Sequence, residues 1–396
     1  SDRQIIFFVT ASSITGETHY LPSDQPAGSF KLFLGREVGH EYSVDHREGL
    51  FYIRTNKGAK NYRLVVAPDN YPRPQQWKEI LPHRPNVKLE RVLLFRNNAV
   101  YVEREKALVR LVVHDFRTNA SKEIGFPEPV YSAGPGANPE YDTKVFRYSY
   151  QSFVTPSSIY DYDMESGKSI LLKQTEVLGG YDPKNYVSER LYAKAPDGAL
   201  VPLSIVYKAG TKRDGKNPLL LSGYGAYGIS QSAAFSVVRL SLLDRGVVFA
   251  LAHIRGGGDL GEQWRDDGKM LKKKNTFTDF IACAEHLFRE KFTSPEHCAI
   301  QGGSAGGLLI GAVVNMRPDL FKVAHLAVPF VDVINSMLDE SLPLTVGEFL
   351  EWGNPKKKDE YEYMKTYCPY TNIENKPYPV LLITTSLNDS QVMYWE

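Results

Sequence analysis

The residues of this chain whose types and spacing could do chemistry gather around one serine. Gly302-Gly303-Ser304-Ala305-Gly306 is a G-x-S-x-G run. An apolar segment, CAIQGG, leads into it, and a longer one, GGLLIGAVVNM, leads away. Small residues beside a serine allow a strand to turn sharply into a helix, and that turn lifts Oγ above the edge of the sheet. The helix start supplies free N–H groups and the positive end of a dipole. The plain alternative is a glycine-rich turn that happens to contain a serine. The strand-like and helix-like flanks favour a nucleophile.

A nucleophilic serine needs a base, an acid to orient the base, and donors for an oxyanion. In a strand–turn–helix site of this kind the chain order is serine, acid, histidine. Asp389, just beyond the apolar strand PVLLITTS, fits the acid; its alternative role is to cap a polar turn. Of nine histidines only His325 follows Ser304. It precedes Asp389 and sits inside the strand KVAHLAVP, so it reads as a core or sheet-edge residue.

A second glycine cluster suggests different chemistry. Gly256, Gly258 and Gly261 match G-x-G-x-x-G, with Asp279 eighteen residues on. The following segment, EQWRDDGKMLKKK, is too polar for the helix that packs on a dinucleotide-binding sheet, and the preceding strand is not the first of its domain. A nucleotide site is therefore not expected, and neither is a cofactor or metal.

The elements that position these residues fall into two textures. From about residue 180, short apolar strands (PLLLSGYG, GVVFALAH, CAIQGG, VAHLAVP, PVLLITTS) alternate with amphipathic stretches. In one stretch Phe277, Phe280, Ile281, Ala284, Leu287 and Phe288 recur at helical spacing. That pattern predicts a doubly wound, mostly parallel sheet covered on both faces. Residues 1–178 instead read as strands separated by turn-formers, in loose units of about 40–50 residues. This predicts blades of a β-propeller, three or four in number, rather than a β-sandwich. The expected domains are 1–178 and 179–396.

Composition narrows the function. Hydrophobic residues make up 42% and charged residues 23%, and the net charge is +1. No charge excess draws nucleic acid or an anionic membrane, and no apolar run has the length of a membrane span. The triple lysines at 272–274 and 356–358 read as solvated faces. Cys283, Cys298 and Cys368 are odd in number and widely spaced, which suggests a reducing, cytoplasmic setting without disulfides or zinc. The start, SDRQIIFFVTASS, reads as a strand entered in mid-domain, with the native start expected upstream.

Several segments together resemble the prolyl oligopeptidase family of serine peptidases, and within it the oligopeptidase B branch: LSGYGAYG, ALAHIRGGGDLGEQWRDDGK, LKKKNTFTDF, GGSAGGLLIGAVVNMRPDLF, VPFVDVINSMLDESLPLTVGEFLEWGNP and NDSQVMYWE. The resemblance covers the second half in order and the first half more weakly. It implies an α/β-hydrolase domain preceded by the later blades of a seven-bladed propeller that caps the active site and limits substrate size. It implies Ser304 as nucleophile, Asp389 as acid, and an oxyanion hole from the Tyr224 hydroxyl and the Ala305 N–H. Glu348, in GEF, would bind a basic side chain, so short basic peptides are the expected substrates. Leu350 stands where many members have a second glutamate, with Glu351 next to it, and Ser232 and Ala234 stand where many have acidic residues. A weaker preference for paired basic residues follows. The resemblance makes the glycine loop at 256–261 structural and places the base histidine beyond Glu396. A polypeptide ending there is expected to be nearly inert. The alternatives are an acylaminoacyl peptidase or esterase, to which Glu348 offers nothing, and a non-catalytic binding protein of the same fold.

Overall fold

The computed structural model describes residues 2–70 and 72–396. Two compact units divide the chain. Residues to 127, 132–150 and 157–175 form the first; 128–131, 151–156 and 176–396 form the second.

The first unit is built of consecutive antiparallel meanders. A three-stranded sheet joins Ile5–Ala11, Gly16–Pro22 and Lys31–Leu34. Three four-stranded sheets follow, starting at Tyr42, Val87 and Tyr131 and ending at Leu81, Glu123 and Gln174. Each sheet uses only strands adjacent in sequence, which is the order of propeller blades and not the strand exchange of a Greek-key sandwich. Burial grades across each blade. In Asn98–Glu105, the second strand of its sheet, most residues are buried, whereas the fourth strand, Ala120–Glu123, is exposed throughout. Alternating apolar residues on the inner strands explain the difference, because both faces of a stacked blade need them.

The second unit is an α/β-hydrolase sheet. Its strands are β1 (Tyr186–Lys194), β2 (Leu200–Lys208), β3 (Leu219–Ser222), β4 (Val248–Ala252), β5 (Cys298–Gly303), β6 (Val323–Ala327) and β7 (Val380–Thr384). Their spatial order is β1-β2-β4-β3-β5-β6-β7. The pairs β1/β2 and β2/β4 are antiparallel, and the rest are parallel. The Asp197-Gly198 turn closes the β1/β2 hairpin, with Gly198 at a φ of +92°. Strand order reverses between β3 and β5, so their C-terminal ends form the crevice where ligands of open α/β sheets bind.

Helix α1 (Lys274–Arg289) buries Phe277, Phe280, Ile281, Ala284 and Leu287, the periodic face expected from sequence. Helix α2 (Ala305–Met316) is buried from Ala305 to Val314 and crosses the core between sheet and neighbours. Within these 396 residues all five residues of β7 are exposed. The chain after β7 leaves the strand's faces and brings Val392 to the cavity beside Ser304.

Candidate active site

Ser304 lies between the end of β5 and the first residue of α2, at a φ of +56° and a ψ of −122°. That combination is costly for a residue with a side chain and persists only where its surroundings over-determine it. Here the Ser304 N–H donates to Ala327 O at 2.9 Å, and Ser304 O accepts from the Gly307 and Leu308 N–H groups at 2.7 and 3.2 Å. The turn also needs its small neighbours. A Cβ on Gly302 would stand 2.2 Å from Gly306 O, and one on Gly307 would stand 2.5 Å from Pro329 Cα. Ala305, as the first residue of α2, has an N–H without an intrahelical acceptor.

Tyr224 follows β3, the neighbour of β5, and lines the same cavity as Ser304. Burial raises the phenol's pKa; the nearby Ser304 side chain offsets part of the rise, and Glu348 and Glu351 add to it. At neutral pH the group is therefore a neutral donor. Ser304, Ala305, Tyr224, Tyr227 and Glu348 line one cavity of about 190 Å³, with Phe330 and Met337 as apolar wall.

Glu348 enters this cavity from helix α3 (Thr345–Trp352). Tyr227 Oη donates to its Oε1 at 2.8 Å, and Trp352 Nε1 donates to its Oε2 at 2.6 Å. Rings surround it: Trp352 is 5.5 Å from Tyr227 and 5.4 Å from Phe330 between centroids. Desolvation raises the Glu348 pKa above the ordinary carboxylate value, and the Trp352 and Tyr227 bonds offset part of the rise. A half-buried carboxylate among aromatic rings suits a planar cation, which can bond to the oxygens and stack on the rings.

Asp389 lies in the loop after β7, the strand two along the sheet from β5. Its Oδ1 accepts from the Gln391 and Val392 N–H groups at 2.9 and 3.1 Å, which fixes the carboxylate and leaves Oδ2 for another donor. His325, on β6, is half-buried, and its Nε2 bonds Thr384 Oγ1 at 3.1 Å. It is a sheet residue tied to the edge strand. Leu350 is exposed and lies outside the cavity lining, as do Ser232 and Ala234.

Sequence reasoning misread one lysine. Lys273 was expected on a solvated face, but it is only 1% exposed. Three consecutive residues entering a helix point about 100° apart, so one of a lysine triplet can face inward while its neighbours face water. Lys273 Nζ donates to Gly225 O at 2.7 Å, stands 3.8 Å from Glu351 Oε1, and lies 4.7 Å from the Trp352 ring centroid. Burial lowers its pKa to about 8, and Glu351 opposes that fall. No local signal marks this position, because all three partners are distant in sequence.

A second serine–histidine–aspartate set also escaped notice. Ser204 Oγ is 2.7 Å from His253 Nε2, and His253 Nδ1 is 2.9 Å from Asp259 Oδ1. All three are at most 1% exposed, so no substrate reaches them. They tie β2 to the glycine loop that follows β4. In that loop the Gly256 O accepts from Gly228 N at 2.9 Å, and Asp279 pairs with Arg255 at 2.6 Å. The G-x-G-x-x-G glycines therefore serve close backbone packing, and Asp279 is a buried ion-pair partner.

A serine on a strained strand-to-helix turn at the switch point of an α/β-hydrolase sheet defines a candidate hydrolase of the serine-nucleophile class. Residues 233–396 match the family described as "Prolyl oligopeptidase family", and residues 1–175 match "Prolyl oligopeptidase, N-terminal beta-propeller domain". The chain belongs to the prolyl oligopeptidase family. It is 44% identical to "Dipeptidyl aminopeptidase BI" of Pseudoxanthomonas mexicana, over 100% of this chain and 54% of that protein. It is 41% identical to "Protease 2" of Moraxella lacunata, over 99% and 56%. Among solved structures, oligopeptidase B from Leishmania major superposes with a TM-score of 0.92 at 38% identity, over 100% of this chain and 57% of that one. Oligopeptidase B from Trypanosoma brucei with covalently bound antipain gives 0.92 at 39%, over 99% and 57%. The chain spans about half the length of the curated relatives it matches.

Proposed function

We propose that the whole protein is a serine peptidase that cleaves short peptides on the carboxyl side of Arg or Lys. Ser304 Oγ attacks the scissile carbonyl carbon and forms the new C–O bond. The carbonyl electron pair moves to oxygen, where the Tyr224 hydroxyl and Ala305 N–H receive it. The base, which the family resemblance makes a histidine outside these 396 residues, takes the serine proton and returns it to the leaving amine as the C–N bond breaks. Asp389 orients that base. Water then hydrolyses the acyl-enzyme. The observation that carries the choice of substrate is Glu348, whose carboxylate shares the Ser304 cavity. A basic side chain gains charge-assisted hydrogen bonds there, whereas a neutral proline or an acyl group gains none.

The test uses the full-length protein and compares an Arg amide, a Leu amide, an Arg ester and a plain acyl ester. The Arg substrates should exceed the others in kcat/KM by roughly a hundredfold or more, the scale expected when a buried charge loses its partner. Equal rates on the Leu amide would remove Glu348 from the specificity site, and turnover of the plain ester alone would indicate an esterase. One relative is named a dipeptidyl aminopeptidase. The same assay on Arg-containing peptides with free and blocked amino termini separates that mode from internal cleavage.

A further inference from the structure

We infer that the Lys273–Glu351 pair is a positioning device: it clamps the loop at residues 223–228 to helix α3, so that the Tyr224 hydroxyl and the Glu348 carboxylate keep a fixed separation across the cavity. The inference rests on the proposed function for what those two groups do.

Four observations converge on it. First, the loop is conformationally demanding. Gly225, Tyr227 and Gly228 have φ values of +76°, +57° and +67°, and Tyr227 adopts its value despite its side chain. The two glycines take such values readily, but Tyr227 needs external restraint to hold its own. Second, the restraint comes from the pair. Lys273 Nζ donates to Gly225 O at 2.7 Å, and Glu351 Oε1 accepts from Tyr227 N at 3.0 Å. The two bonds fall on either side of Ala226, two residues beyond Tyr224. Third, Glu351 and Glu348 share α3, three residues apart, and therefore lie on adjoining positions of the helix. The side chain of Tyr227 closes the circuit by donating to Glu348. Fourth, packing does not require charge here. Apolar residues of similar volume commonly replace a buried ion pair without loss of stability. What the charged pair adds is direction, through bonds to chosen backbone atoms. Burial lowers the Lys273 pKa to about 8, which is consistent with a group held in place at a cost.

The test is a cycle in the full-length protein. Lys273→Met and Glu351→Leu are introduced together, which removes both bonds of the clamp and strands no charge. Melting temperature and kcat on an Arg amide are measured, alone and in combination with Tyr224→Phe. The double-neutral variant should melt close to wild type yet lose about tenfold or more in kcat, the scale set by small misplacements of catalytic groups. In the Tyr224→Phe background, itself slower in kcat, the same change should cost less than about threefold, because the group being positioned is already gone. Unchanged kcat in the folded variant, or fully additive losses, would overturn the clamp. If every variant unfolds, the pair is a structural brace and the inference fails. A wild-type protein without turnover would instead overturn the proposed function, and the clamp with it.

Discussion

In the proposed function Glu348 is the residue on which specificity would turn, and its environment gives it a pH signature. Desolvation raises its pKa above the ordinary value, with Glu351 and Glu396 as additional unfavourable neighbours. A carboxyl whose folded-state pKa is raised becomes protonated at a higher pH than it would in water. Its ionised form, the one that would bind a guanidinium in the proposed function, is therefore lost as pH falls through that raised value. In kcat/KM, which reports the free enzyme, an Arg amide should show an additional acid limb above the usual glutamate range. A Leu amide should lack it, and Glu348→Gln should abolish it. Superimposable acid limbs for both substrates would contradict the role. The sign for stability is consistent: between the ordinary and raised values the folded state binds more protons than the unfolded, so this group's contribution declines as pH rises through that window. At this scale the Ser304 turn was legible because its signal is local, one serine among small residues between strand and helix. Glu348 was legible only through resemblance, since a lone glutamate near a helix start carries no mark of its pocket. Lys273 was not legible at all, because its charge is neutralised by partners far along the chain.

The elbow is the element that makes Ser304 usable, and its glycines are not equivalent. Gly307 packs its Cα side directly against Pro329, where an added Cβ would stand 2.5 Å from the Pro329 Cα. Gly303 has ordinary room, with its nearest neighbour, Ala327 O, at 3.5 Å. Gly307→Ala should destabilise the second unit by about 1–3 kcal/mol, the usual cost of overpacking, and should lower kcat by moving the start of α2. Gly303→Ala should change stability by less than about 0.5 kcal/mol, the scale of substitutions that meet no clash. Denaturant unfolding of the two variants decides, and equal stabilities would contradict this account of the turn. Strand–helix alternation had already placed β3 to β7 and α1 and α2 from sequence, because apolar runs and helical spacing are properties of neighbouring residues.

At the scale of the molecule, a change in texture separates meandering strands from alternating strands and helices, and both architectures are present. The propeller-type order of the first unit was readable because each blade is local in sequence. The reversal of strand order that puts Tyr224 beside Ser304 was not, because it depends on which side of β3 each crossover takes. Among the described residues no helix is long and apolar enough to cross a membrane. The account joins one nucleophile and one cation-binding carboxylate in a single cavity, and a reagent that needs both tests it most directly. The full-length protein would be treated with an aryl phosphonate bearing an arginine side chain, and with its leucine counterpart, and the adducts located by peptide mass mapping. The account predicts one adduct per chain at Ser304, formed much faster with the arginine reagent, with that advantage lost in Glu348→Gln and the adduct absent in Ser304→Ala. Modification at another residue, or equal rates for the two reagents, would contradict it.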